Sequence, residues 1–211
     1  YEKSLCLKKL RKYNEARETL QIFIEQFPDD LDAPLWLADA LIRMDKMQEA
    51  RQSLAELMNK LDALGGKHPE YVRACIRMSG ITDANDLPGA QAEALGWLDK
   101  AVEYMPESVE ALVYRARFYR EKSQEPGKTE QDIERDWGVT PEEMMAAARK
   151  DLEAADAIGT DNPRMRSFLC SEWIAHGDFE RAAAELKAVE NLSEEALQEY
   201  FFDPQDWAVT K

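Results

Sequence analysis

The chain has 211 residues, 45% of them hydrophobic, with 9 Gly and 9 Pro, an ordinary globular composition that can bury a continuous core. Its 42 acidic and 27 basic side chains leave a net charge of −15, which repels phosphate backbones and anionic headgroups and argues against nucleic-acid partners. The acidic balance reads as a solvated exterior rather than a recognition surface. No stretch approaches the ~20 apolar residues that span a bilayer.

Ala, Leu, Glu, Lys and Arg dominate while runs of Val, Ile and Thr are nearly absent, so an all-α fold is expected. Tyr1 to Leu10 reads as a helix entered partway. Lys12 to Phe27 is amphipathic, with Tyr13, Ala16, Leu20, Phe23, Ile24 and Phe27 on one stripe, and Pro28-Asp29-Asp30 stops it. Asp32 is placed to cap Ala33 to Met44, and a turn at Asp45-Lys46 leads into Met47 to Leu64, closed by Gly65-Gly66. Pro69 opens a helix with Tyr71, Ala74, Cys75 and Met78 on one face, and its partner runs from about Pro88 to Tyr104.

Val109 to Lys122 follows, then a polar insertion, Ser123 to Gly138, with a short helix expected over Glu130 to Trp137. Thr140-Pro141-Glu142-Glu143 spells a capping box ahead of Met144 to Ile158. Asn162-Pro163 starts another helix, whose Leu169, Cys170 and Trp173 are expected to pack on Phe179, Ala182, Leu186 and Val189. Ser193 is placed to cap a last helix to about Phe202, and Asp203-Pro204 resembles a further helix start. The chain therefore reads as a segment of a longer repeat array.

A small-residue spacing recurs through these elements: Ala16 with Leu20, Ala50 with Leu54, Ala94 with Leu98 and Ala101, Ala148 with Leu152 and Ala155, Ala182 with Leu186. Small residues let paired helices approach, and large ones fill the adjoining gap. Leu37-Ala38 with Leu41, Ala116 with Tyr119, and Leu169-Cys170 with Trp173 supply the facing helix of each pair, and 34 residues separate Ala16 from Ala50. On these residues the chain resembles a tetratricopeptide repeat array. The resemblance implies a right-handed α-solenoid of stacked helix hairpins forming one domain over 1–211. Its units are 1–28 (truncated), 31–64, 68–106, 109–160 with an insertion at 123–140, and 163–192, followed by a terminal helix and the start of another unit over 193–211.

Reaction chemistry is not legible. His68 and His176 fall in different units without ligand-spaced neighbours, and Cys6, Cys75 and Cys170 form no Cys-x-x-Cys pair. Gly65-Gly66-Lys67 lacks the preceding glycine and following hydroxyl of a phosphate loop. Acidic pairs such as Glu142-Glu143 sit at helix entrances, where they complement the dipole. The reading is a non-catalytic protein-binding scaffold with no cofactor and no metal. Its alternatives are an architectural or self-associating array, or the recruiting arm of an enzyme elsewhere in the full-length chain. Cysteine usage requires no oxidising compartment, which favours the cytoplasm and leaves export open.

In the family the first helix of each hairpin lines a concave groove, so the resemblance implies partner-binding positions at Asp39, Ile42, Arg43, Arg73, Val113, Arg117, Arg120, Arg164, Ser167 and Ser171. Eight of the 14 arginines lie on those helices, and guanidinium forks suit an acidic peptide. The competing reading pairs these arginines with Glu and Asp of adjacent helices. The family's chaperone-tail clamp, which needs asparagines beside lysines, finds no match. The exposed cluster expected of Tyr200, Phe201, Phe202 and Trp207 would serve a next hairpin or self-association.

Overall fold

A computed structural model describes residues 12–84 and 89–190, and every regular element among them is an α-helix. The expectations for Tyr1 to Leu10, Cys6, Ser193 and the C-terminal aromatic cluster lie outside the described residues. The chain divides into two compact units, 1–106 and 107–211.

In the first unit, α1 (Tyr13–Gln26) packs on α2 (Ala33–Arg43), which forms a hairpin with α3 (Met47–Leu64). A second hairpin joins α4 (Pro69–Asp83) to α5 (Ala90–Tyr104), and α4 also meets α3 and α2. The alanines that mark the repeat spacing are all sealed: Ala16, Ala38, Ala50, Ala74, Ala94 and Ala101 have no exposed surface. Leu20, Leu54, Leu61 and Leu98 fill the spaces these short side chains leave. Cys75, fully buried and unbonded, acts as one more small filler, and burial pushes its thiol up to about 12.

In the second unit, α6 (Val109–Ser123) and α8 (Pro141–Ile158) form the hairpin, with α7 (Glu130–Trp137) inserted between them in sequence. The final hairpin pairs α9 (Pro163–Ala175) with α10 (Phe179–Glu190), and α9 packs on α6 and α8. Ala116, Ala148 and Ala155 have no exposed surface and Leu152 and Leu169 are buried with them, the same small-and-large composition as the core of the first unit.

The insertion holds a docked helix. Thr129 and Asp132 cap α7 reciprocally, Ile133 is buried, and the Trp137 ring meets Phe118 edge-on at 5.8 Å. Lys128 ties its two flanks by reaching Glu125 at 2.9 Å and Asp136 at 3.1 Å. The capping box expected at Thr140 is present, with the Glu143 carboxylate accepting from the Thr140 N–H at 2.8 Å. Asn162 caps α9 by accepting from the N–H groups of Arg164 and Met165.

Two local expectations are corrected. Asp32 does not cap α2 with its side chain; Asp30 does, its Oδ1 accepting from the Ala33 N–H at 2.7 Å and the Asp32 N–H at 3.1 Å. Asp32 itself has helical backbone angles, which turn its carboxylate away from those donors, toward Arg73. Phe179 is 69% exposed rather than packed against Trp173. As the first residue of α10 its side chain leans back past the helix end, while Ala182 and Val189 face inward.

Candidate partner-binding face

The positions expected to bind a partner lie on α2 and α4 in the first unit and on α6 and α9 in the second. Most of the arginines there have a structural task. Arg77 on α4 holds Asp39 on α2 through two parallel bonds, Nε to Oδ1 at 2.7 Å and Nη2 to Oδ2 at 3.1 Å. Arg73, one turn earlier, lies 3.3 Å from Asp32 and 3.8 Å from Glu70. Burial pushes the Asp32 carboxyl above its usual range, and Arg73 opposes that shift. At the end of α2, Ile42 is half-buried and Arg43 is exposed, with no carboxylate within ion-pair reach among the described residues.

The second unit repeats the device with deeper carboxylates. Arg115 on α6 grips the buried Asp151 of α8 at 2.7 and 2.8 Å. Arg120 on α6 grips the buried Glu172 of α9, Nε to Oε2 at 2.6 Å and Nη2 to Oε1 at 3.0 Å. The bond to Glu172 raises the Arg120 guanidinium above its ordinary range. On α9, Arg166 reaches Glu185 of α10 at 3.1 Å. Val113 is fully buried and therefore belongs to the core, a placement the groove assignment did not anticipate.

What remains open on these helices is narrower. Among the described residues Arg117 ion-pairs only with Glu121, one turn along its own helix, in a surface contact at 2.7 Å that is worth little. Arg164 is exposed and has no carboxylate within reach among the described residues. Ser167 is half-buried, and Ser171 is exposed with its hydroxyl donating to the Ser167 carbonyl at 2.9 Å. Between the two arginines lies Phe168, which residue-by-residue transfer of groove positions passed over. A signal for it exists in the sequence: 164, 167, 168 and 171 form one helical stripe.

No cluster suited to a metal exists among the described residues, and no helix there is long and apolar enough to cross a membrane. His68 Nε2 lies 2.7 Å from the Gly65 carbonyl, as part of a loop that Tyr104 also ties down through its hydroxyl. His176 Nε2 is buried with no hydrogen-bond partner among the described residues, and burial holds its imidazole below the usual range. Cys170 is a buried free thiol raised by the same cause.

Residues 7–74 match the family model for the tetratricopeptide repeat. Among solved structures, a thermophilic tetratricopeptide-repeat protein of Thermus thermophilus has the same fold at 19% identity and a TM-score of 0.58. The match covers 99% of this chain and 93% of that one. Residues 7–74 are thus similar to the tetratricopeptide repeat, and the chain shares the fold of such a protein. Human IFIT1, solved as a dimer with PPP-AAAA, is similar to this chain at 15% identity and a TM-score of 0.56. That match covers 88% of this chain and 38% of the human protein. No curated protein matches the sequence. Such distant likeness shows the paired-helix fold alone.

Proposed function

We propose that this chain is a non-catalytic scaffold that docks a segment of a partner protein along the first helices of its hairpins, α2 with α4 and α6 with α9. Acidic groups on the partner are oriented by arginine. The observation that carries the reading is the sorting of arginines on these helices. Arg77, Arg115 and Arg120 are committed to inter-helix pairs, whereas Arg43, Arg117 and Arg164 present their charge to solvent. Paired arginines keep the faces in register, and the exposed ones offer planar donors to carboxylates. Asp39, Arg73 and Arg120 act through the first role, Ile42, Ser167 and Ser171 as contact surface. The PPP-AAAA ligand of human IFIT1 is not carried over, because a net charge of −15 opposes a polyphosphate.

Titration of isotope-labelled protein with pools of short random peptides tests this by amide chemical-shift mapping. Shifts confined to α2 and α4 or to α6 and α9 are expected. Shifts elsewhere, or none with any pool, would overturn the reading.

Self-association is a second reading, favoured by Ile174 and Phe179, which are 52% and 69% exposed at the turn between α9 and α10. Sedimentation velocity at several concentrations decides it: a strict monomer removes it.

A further inference from the structure

The second unit carries an aromatic platform beside two guanidinium groups. The Phe168 ring of α9 is half-buried, with Tyr114 of α6 at 5.6 Å between centroids on one flank. Arg117 of α6 and Arg164 of α9 each place Cζ 5.9 Å from the ring centroid. Arg164 has no carboxylate partner among the described residues, and Arg117 has only the exposed Glu121. Arg120, the next arginine along α6, is withheld by the buried Glu172. In a chain of net charge −15, two guanidinium groups beside one ring, with Glu121 their one carboxylate partner among the described residues, are a local reversal of sign.

We infer that this platform binds an internal peptide segment in which a Glu or Asp lies next to an aromatic residue. The inference rests on the docking reading above and names the ligand for one of its faces. The partner ring packs against the solvent-facing part of Phe168, and its neighbouring carboxylate takes the forks of Arg117 and Arg164. Displacing Glu121 from Arg117 costs little, because both groups are exposed. The overall negative field disfavours a long acidic run, so one or two carboxylates beside a ring suit the site better than a polyacidic tail. Ser171 continues the open stripe one turn past Phe168, which lets a chain run beyond the ring. That continuity selects a side-chain carboxylate within a segment over a chain terminus.

The test uses the full chain and fluorescence anisotropy with an acetylated, amidated Gly-Ser-Glu-Phe-Glu-Ser-Gly peptide. Its Gln-Phe-Gln counterpart and a peptide ending in a free C-terminal Phe are the comparisons. Tenfold or weaker binding of the Gln peptide is expected, together with a comparable loss in Arg164→Glu. That substitution lies in the first turn of α9, where an acidic side chain complements the helix dipole, so folding is retained. Phe168→Ala should lose binding of both internal peptides. Equal affinity for the Glu and Gln peptides overturns the proposal, as does preference for the free C-terminus or an Arg164→Glu protein that binds undiminished. If Arg164→Glu is silent while Arg43→Glu abolishes peptide binding, the platform fails but docking on the first helices stands. If no peptide binds either face, both readings fail.

Discussion

Arg120 and Glu172 stand 52 residues apart in sequence, yet form a two-bond pair at 2.6 and 3.0 Å that joins α6 to α9. Glu172 is buried, so this contact replaces the water its carboxylate would otherwise need. Arg120→Ala should therefore lower stability by about 3–5 kcal/mol in urea denaturation, the cost of an uncompensated buried charge. Replacing both partners with Met and Leu should recover most of that loss. A single-mutant effect below about 1 kcal/mol would show that Glu172 finds another partner.

The caps at the start of α2 give a discriminating pair. Asp30 accepts two backbone N–H groups, whereas Asp32 accepts none at the helix end. Asp30→Ala is expected to cost about 1 kcal/mol. Asp32→Ala removes a half-exposed pair with Arg73 and should cost no more than about 0.5 kcal/mol. Thermal melts of the two variants suffice, and the reverse order would reinstate Asp32 as the cap.

The turns closing α2 and α9 share one geometry. The Lys46 N–H donates to Leu41 at 2.9 Å and the Asp178 N–H donates to Trp173 at 2.9 Å, each spanning five residues. The left-handed position is Gly177 in one turn, at φ +73°, and Asp45 in the other, at φ +59°. Asp45→Gly should stabilise the chain by about 0.5–1 kcal/mol, since glycine holds that conformation without a Cβ penalty. Gly177→Asp should do the reverse, as read by paired chemical denaturation curves.

Ala148 is sealed on α8, in the hairpin with α6. Ala148→Leu forces the helices apart and should cost at least about 1–3 kcal/mol, with loss of near-ultraviolet dichroism before far-ultraviolet signal. A well-packed variant with unchanged melting would mean that the hairpin tolerates wider spacing than its alanine pattern implies.

Acid sensitivity should trace to His176. Burial lowers its imidazole below the ordinary 6.5, Glu172 opposes that shift, and Arg120 and Arg149 add to it. The unfolded chain therefore takes up the proton first, so stability is fully present above about pH 6.5 and declines as pH falls. Melting points at pH 7.5 and about 5.5 should differ more for the native protein than for His176→Gln. Equal differences would assign the acid effect to other groups. The raised carboxyls of Asp32, Asp156 and Glu185 act with the opposite sign in a lower window, gaining stability as they protonate.

Local rules carried much of the architecture. The alternation of Ala and Leu at helical spacing, the Thr140 box and the Asn162-Pro163 start are interactions within a few residues, so composition and order suffice to read them. The functional face was less legible. Arginine positions on α4, α6 and α9 were visible, but the carboxylates gripped by Arg77, Arg115 and Arg120 lie 38, 36 and 52 residues away, and no local pattern announces them. Val113 looked like a groove residue by its register and proved to be core. Phe168 shared a stripe with Arg164 and Ser171, yet its meeting with Arg117 depends on how α9 rests on α6.

The division follows from range. Helix identity, caps and the hairpin repeat were determined by the sequence itself, because each is decided by the spacing of neighbours along one or two turns. Tertiary structure alone decided which arginines are spent on buried carboxylates and which remain open. Desolvation and ion pairing depend on what a neighbouring helix brings within about 3 Å, and that distance is set by packing.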